Sequence, residues 1–282
     1  MILVYGDDSA DEKRVRVCAV AGVVGTIMAW RSVERQWIVR TNGIPFHAKD
    51  CDSDQGDYEK FSHAENKALY RDLTTLVAES HLHGYGLAID LMAANRFFPK
   101  APDFAYYRAF LRVMQVMKNC AKANKEIADF TFDMRMESEH NAGLLYGITK
   151  EYEPEWSPFL AEKVAFEFAR KNPRLQVADL VAREVMKALD NHIGPVKRKI
   201  RKSWEALRDT GRFEAEAYSE DWFSDLKKHY AELEAMVGFR EQDYVNWLAA
   251  RKRQHNITNM FLFVRDMSKR DADADAERIQ KL

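Results

Sequence analysis

The stretch LQVADLVA, residues 175–182, follows the segment FARKNPR and has the composition of the first turns of a helix. Its only polar side chains are Gln176 and Asp179. Burying a lone carboxylate among apolar side chains is costly unless the charge is paired or hydrogen-bonded. The helix dipole favours an acid in an early turn. Asp179 is therefore either a favourable charge near the helix start or a functional carboxylate that the apolar residues hold in place.

The composition predicts a globular protein with a real core. The chain has 282 residues, 46% of them hydrophobic and 12% aromatic, which suits one large domain or a domain with an extension. The net charge of −1 gives no overall basic field that would indicate nucleic acid. Three cysteines at unpatterned spacings favour a reducing compartment and form no zinc motif. We expect a cytoplasmic protein without a membrane segment, because no apolar stretch approaches about 20 residues and no basic leader precedes the first apolar run.

Strand and helix patterns alternate along the first two thirds of the chain. The predicted strands are residues 2–6, 15–28, 85–90, 127–136 and 164–169. The predicted helices are residues 63–80, with Ser62 and Glu65 as a capping box, residues 104–123, and a helix that runs from the opening stretch to about Leu189. Residues 36–40 fit a short strand or the end of a helix equally well. This alternation predicts an α/β fold with helices on the faces of a sheet.

The pattern changes near Gly194. A basic run is followed by amphipathic helical segments, and residues 259–264 are the only further strand candidate. We therefore expect an α/β domain over residues 1–194 and a helical extension over 195–282. The charged end, SKRDADADAERIQKL, predicts a frayed helix or a disordered tail.

Four acids close or interrupt apolar segments: Asp7, Asp90, Asp133 and Asp179. Ligands of open α/β sheets bind beyond the carboxyl ends of the strands, where the first three would project if their strands are parallel. Carboxylates held close together repel one another, and Mg²⁺ or Mn²⁺ would offset that repulsion through oxygen ligands. The pattern thus indicates metal-assisted phosphoryl chemistry. The plainer interpretation of each acid is a turn or capping residue.

Four motifs occur in the order found in one family of uncharacterised domains. The segments are VYGDDSAD, PFHAKD, FTFDMRM and RLQVADLVA. In this respect the chain resembles the uncharacterised-domain family 3800 (DUF 3800), which looks like a member of the ribonuclease H-like superfamily. The resemblance covers roughly residues 1–190, and its last motif is the most specific. It implies a ribonuclease H-like mixed sheet flanked by helices, a nuclease-type site, and a link to phage defence or mobile elements.

By this resemblance, Asp7 matches the first acid of the family, Asp133 the acid of the late strand and Asp179 the acid of the final helix. These three would be both catalytic and metal-binding. The chain departs from the first motif, because Asp8 replaces a glutamate and Ala10 a glycine. Asp8 keeps an acid there and is a further candidate. Asp90 is a candidate fourth ligand, since its strand usually lies beside the first strand in ribonuclease H-like folds.

Other polar residues are candidates for substrate contacts. His47 could position a water molecule or the scissile phosphate, and Lys49 beside it could bind the nucleic-acid backbone. Gln176 could orient Asp179, contact substrate or cap the main chain. Lys197 and Arg198 belong to a basic run that could hold phosphates, although a solvated helix face fits them as well.

The sequence therefore predicts a metal-dependent nuclease or related phosphoryl-transfer enzyme that acts on nucleic acid with Mg²⁺ or Mn²⁺. Two alternatives stay open. One is a non-catalytic module that retains the fold and binds nucleic acid or protein. The other is a nucleotide-phosphate hydrolase that uses the same acids. The sequence has no GxxxxGK[ST] loop, which counts against P-loop chemistry.

Overall fold

One mixed sheet forms the centre of the protein. The computed structural model describes residues 1–97, 104–134, 139–225 and 228. The strands are β1 (Ile2–Ala10), β2 (Val17–Gly25), β3 (His83–Asp90), β4 (Ala128–Asp133), β5 (Ala165–Glu167) and β6 (Phe213–Tyr218). Their order in the sheet is β5-β4-β1-β2-β3-β6. The expected α/β class is confirmed.

Strand β2 is antiparallel to both of its neighbours, β1 and β3. The pairs β1–β4, β4–β5 and β3–β6 are parallel. All strands except β2 therefore run in one direction, and their carboxyl ends meet at one edge of the sheet. Asp90 and Asp133 end their strands at this edge, as predicted, whereas Asp7 lies within β1.

Helices cover both faces of the sheet. They are α1 (Ile27–Arg40), α2 (Ala48–Ser53), α3 (His63–Glu79), α4 (Leu91–Phe97), α5 (Phe104–Ala123), α6 (Glu139–Tyr152), α7 (Pro173–Ile193) and α8 (Lys202–Arg208). Helix α5 belongs to the apolar core on one face, and α1, α3 and α7 belong to the core on the other. Because β2 is covered on both sides, its sequence is a nearly continuous apolar run rather than an alternating one.

Several predicted elements match the structure closely. The capping box of Ser62 and Glu65 is present at the start of α3. Helix α5 spans the predicted residues 104–123. The opening stretch lies in α7, which begins with Pro173 and is capped by the side chain of Asn172. In the described part of the chain, no helix is long and apolar enough to cross a membrane.

Other predictions need correction. Strand β1 continues to Ala10, so Asp7 lies within the strand instead of following it. Residues 36–40 are the last turns of α1. The expectation of helices alone between residues 195 and 258 is wrong, because β6 pairs with β3 there. The predicted helices beyond residue 228, the strand candidate at 259–264 and the charged tail lie outside the described residues.

Candidate functional site

Asp7 lies near the middle of the sheet and is only 7% exposed. Tyr5 belongs to the core on the α7 face, so alternation along β1 puts Asp7 on that face as well. Its Oδ1 accepts a hydrogen bond of 2.6 Å from the N–H of Asp8. Burial raises the pKa of Asp7 well above its usual value, and the charges of Asp179, Asp133 and Asp8 raise it further.

Asp179 reaches the same region from the second turn of α7. It is 5% exposed, and its Oδ2 accepts a hydrogen bond of 2.7 Å from the N–H of Ala48. Burial raises the pKa of Asp179 to about 6, although the charge of His47, the Ala48 N–H and Arg183 oppose the rise. The carboxylate is therefore held in a fixed orientation, but the neighbouring positive charges and the hydrogen bond offset only part of the cost of burying its negative charge.

Asp133 is the last residue of β4, next to β1, as the sequence predicts. Phe132 pairs with Gly6 of β1, which places Asp133 level with Asp7. The N–H of Ala169 donates a hydrogen bond of 2.7 Å to its Oδ1. Burial raises the pKa of Asp133, the Ala169 N–H lowers it and the charge of Asp8 raises it again.

The structure thus brings Asp7, Asp133 and Asp179 into one electrostatic group, here called the acid cluster. Asp8 acts on this group from the neighbouring strand position, where alternation turns its side chain toward the other face. The sequence reasoning grouped the same three acids.

Asp90 stands apart from the acid cluster. It closes β3, but β2 lies between β3 and β1, so the expectation that its strand lies beside the first is wrong. Its Oδ1 accepts a hydrogen bond of 3.0 Å from the N–H of Ala93, which caps the start of α4. It is not among the groups that most strongly shift the pKa values of the acid cluster. The capping interpretation accounts for this residue.

Gln176 links the segment before α2, which contains Phe46, to the segment before α7, which contains Ala169. Its Oε1 accepts hydrogen bonds from Trp37 Nε1 at 3.0 Å and from the N–H of Phe46 at 3.1 Å. Its Nε2 donates to the carbonyl of Ala169 at 2.9 Å. Since the side chain is 4% exposed and engaged in these bonds, the structure places it with the main chain and not toward a substrate.

His47 borders the acid cluster at the start of α2. It is the residue before Ala48, and its charge lowers the pKa values of both Asp179 and Asp133. The His47 side chain is 54% exposed. Lys49 follows in the first turn of α2 and is half-buried. His47 therefore stands beside the cluster, and the roles predicted for His47 and Lys49 stay predictions.

The basic pair Lys197 and Arg198 lies far from the cluster. Both residues are exposed beyond the carboxyl end of α7, and Lys197 donates to the carbonyl of His192. Thirteen helical residues separate Asp179 from His192, which corresponds to about 20 Å. The structure does not bring this pair together with the predicted acids.

The sequence reasoning missed an ion-pair network that fixes α2. Asp52 accepts two hydrogen bonds of 2.9 Å from Arg201 and one of 2.9 Å from Arg183. Arg201 Nε also lies 3.3 Å from Glu184, which is fully buried and hydrogen-bonded to Tyr70. The available signal was Arg183 and Glu184 in α7, one turn after Asp179, where charged residues interrupt an apolar helix.

The donor set of the acid cluster suits a hard divalent cation. All three side chains offer carboxylate oxygens, which Mg²⁺ and Mn²⁺ prefer, and two of them raise the pKa of the third. Across the described ranges, no three His, Cys, Asp or Glu side chains are already close enough to hold a metal ion. A cation at this point would have to draw the carboxylates closer.

Comparisons with known proteins identify no family for this chain. No protein-family model and no curated protein matches the sequence. The resemblance to the DUF 3800 family therefore stays a prediction.

Proposed function

We propose that the protein is a metal-dependent phosphodiesterase with a ribonuclease H-like fold that acts on nucleic acid. The observation that carries the proposal is the convergence of Asp7, Asp133 and Asp179 beside the carboxyl end of β4, with the pKa of each raised by burial. The mixed sheet with helices on both faces is the architecture that the resemblance implies.

Uncompensated burial of like charges lowers the stability of the folded protein, and a purely structural site does not need such charges. A carboxylate among other carboxylates in a low-dielectric environment favours its neutral form. Three acids converge here from β1, β4 and α7, although each element could bury an apolar side chain instead. A function that needs concentrated negative charge explains their presence.

The chain holds these carboxylates in orientation through main-chain N–H groups. The Ala48 N–H fixes Asp179, and the Ala169 N–H fixes Asp133. In Asp7 and Asp179, the second carboxylate oxygen makes no hydrogen bond within the described residues and is available to a ligand. These three acids would hold the cation.

When bound, a divalent cation makes water a stronger nucleophile and stabilises negative charge on the leaving oxygen. The surrounding residues would bind and orient the phosphodiester. His47 stands on the α2 side of the cluster, and Lys49, in the first turn of α2, would contact a phosphate oxygen. Their arrangement supports a nucleic-acid substrate.

A second group of side chains on the other side of the cluster also supports nucleic acid. Phe168 precedes Ala169, which binds Asp133, and its side chain is 49% exposed. Lys171 Nζ lies 6.0 Å from the centre of the Phe168 ring. The neighbouring Arg170 is 73% exposed and forms an ion pair of 3.0 Å with Asp57. An exposed aromatic ring next to basic groups can stack an unpaired base and bind its phosphates.

Cleavage of end-labelled DNA and RNA with Mn²⁺ or Mg²⁺ tests this function. We expect cleavage by the wild type and a fall of more than about 100-fold in Asp179→Asn, because the loss of a group that merely supports a metal ligand already costs about 10–100-fold. Asp209→Asn is a matched control, since its carboxylate is 66% exposed on the end of α8. Metal-independent cleavage, or equal rates in the wild type and Asp179→Asn, would refute the proposal.

Two further measurements distinguish the proposed enzyme from a nucleotide-phosphate hydrolase and from a binding module. Competition of the cleavage reaction with mononucleotides should have little effect if the substrate is a polymer. A protein that binds oligonucleotides equally well after Asp7→Asn and never cleaves them would be a binding module.

A further inference from the structure

His47 and Asp50 form an ion pair at the border of the acid cluster. His47 Nδ1 lies 2.8 Å from Asp50 Oδ2, with the two residues three positions apart in the first turn of α2. Asp50 is removed from the acid cluster itself and has no part in the site described so far. The pair resembles the arrangement in which a carboxylate fixes the orientation of an imidazole.

Both partners are held in place by the main chain. The residues on either side of His47 are tied to α7, because the N–H of Phe46 binds Gln176 and the N–H of Ala48 binds Asp179. The carbonyl of Asp50 accepts a hydrogen bond of 2.9 Å from the N–H of Gln55.

Gly56 closes against the Asp50 carboxylate. A Cβ atom at Gly56 would lie 2.8 Å from Asp50 Oδ2, and its φ of +56° favours glycine. The loop therefore passes close to the carboxylate on one side while His47 occupies another. This confinement limits the orientations that the carboxylate can adopt.

The close contact with Asp50 determines which nitrogen of His47 can act on a substrate. A carboxylate only accepts hydrogen bonds, so Nδ1 must carry a proton. Nε2 is then the nitrogen left to act on a substrate. The His47 side chain is 54% exposed, and the next residue, Ala48, binds Asp179, so a phosphodiester bound at the acid cluster can reach the imidazole.

We propose that Asp50 positions His47 so that Nε2 donates a proton to the leaving oxygen of the phosphodiester. This inference rests on the proposed function. In the step, the oxygen of water forms a bond to phosphorus and the bond from phosphorus to the leaving oxygen breaks. The proton on Nε2 moves to that oxygen, the attacking water releases its proton to solvent, and His47 regains a proton from solvent. Asp50 is a positioning residue, and His47 is the catalytic residue.

The first test examines the pair without reference to cleavage. Long-range ¹H–¹⁵N spectra of the full chain, recorded where the ring is neutral, report which nitrogen of His47 carries the proton. His47→Gln identifies the signal. We expect the Nδ1-protonated tautomer in the wild type and a mixture of tautomers in Asp50→Ala. An Nε2-protonated ring in the wild type, or no change in the variant, would overturn the inference.

The second test separates proton donation from a structural role. We expect His47→Gln to lower kcat by about 100-fold or more, since general acid catalysis contributes about 10²–10⁴-fold. Asp50→Ala should lower kcat by about 10–100-fold, as loss of a supporting group does, with little change in KM or in Mn²⁺ affinity. Substrates in which sulfur replaces the 3′- or 5′-bridging oxygen release a thiolate that needs no proton, so the one that matches the cleaved bond should restore most of the rate in both variants.

A matched pair of residues between the end of α2 and the start of α3 provides the control. His63 Nδ1 lies 2.7 Å from Asp54 Oδ2, with the His63 side chain 57% exposed, but His63 is not among the groups that most shift the acid cluster. We expect His63→Gln to keep the wild-type kcat. Equal losses on oxygen and sulfur substrates would overturn proton donation while leaving the proposed function intact. Absence of metal-dependent cleavage by the wild type would overturn both.

Discussion

The carboxylate of Asp179 and the main-chain N–H of Ala48 form a hydrogen bond of 2.7 Å between residues 131 positions apart. This bond joins α7, which packs on the sheet, to α2, which carries His47 and Asp50. The acid cluster and the histidine are therefore parts of one arrangement. A change in the charge of Asp179 should affect both stability and the placement of α2.

Replacement of Asp179 by asparagine should stabilise the metal-free protein at neutral pH. The folded-state pKa of about 6 lies above the usual 3.8, so the folded protein binds more protons than the unfolded chain between these values. Its stability is then highest below pH 4 with respect to this group and falls as the pH rises through about 6. The cost at pH 8 is of the order of 1–3 kcal/mol, and the Asp179→Asn variant escapes it.

Thermal unfolding of both proteins in chelator from pH 5 to pH 8 measures this effect. The advantage of Asp179→Asn in Tm should grow with pH over that interval. A constant difference, or a variant that is less stable at pH 8, would contradict the burial of an uncompensated charge. Asp209→Asn should follow the wild type at every pH, because its carboxylate is mostly exposed.

Mn²⁺ or Mg²⁺ should raise the Tm of the wild type by relieving repulsion in the acid cluster. A ligand at 100 times its Kd stabilises the folded state by about 2.7 kcal/mol. Asp7→Asn removes the most deeply perturbed carboxylate and should lose most of this shift, whereas Asp209→Asn should retain it. The measurement is a thermal titration with each cation. An equal shift in the wild type and Asp7→Asn would place the cation elsewhere.

Much of this cluster was predictable from the sequence, and particular residues show why. Asp133 closes an apolar strand, and Asp179 interrupts an apolar helix, so local patterns expose both. Asp7 was found by its motif, although its strand runs on to Ala10. The polar residues there are typical of a turn, but pairing with β2 as far as Ala10 overrides that local preference.

Other features depend on contacts that no local pattern records. Strand β6 is short and carries an exposed Glu214 and a half-buried Glu216 at a sheet edge, which hides its strand character. The hydrogen bonds of Gln176 join residues 130 and 139 positions away. The strand order that separates Asp90 from β1 is equally non-local, because it is set by which strands pair.

Gln176 should matter for stability more than its polar character suggests. In Gln176→Met, Trp37 Nε1–H and the N–H of Phe46 lose their acceptor while they stay buried. Each such unpaired donor costs about 1–3 kcal/mol, so we expect a loss of about 2–5 kcal/mol. Urea unfolding measures it.

Gln36→Met provides the control for that measurement, since Gln36 is exposed on α1. Its free energy of unfolding should stay within about 0.5 kcal/mol of the wild type. Equal stability of Gln176→Met and Gln36→Met would show that the buried hydrogen bonds contribute nothing. In Gln176→Met, we also expect slower cleavage, because the segments that bear Ala48 and Ala169 lose their common support.

Phe168 should favour single strands over duplexes. Its ring is 49% exposed beside Lys171 and next to the residue that binds Asp133, and stacking on an aromatic ring requires an unpaired base. Loss of one stacking contact costs about 1–3 kcal/mol, which weakens binding about 5- to 150-fold. We therefore expect Phe168→Ala to lower affinity for single-stranded oligonucleotides by this factor and to change duplex affinity little.

Fluorescence anisotropy in the Asp179→Asn background measures binding without cleavage. The control is Met92→Ala, which removes a 58% exposed side chain on α4 and should leave the affinity for both forms unchanged. Equal losses for single strands and duplexes in Phe168→Ala would mean that the ring contacts the backbone and stacks no base.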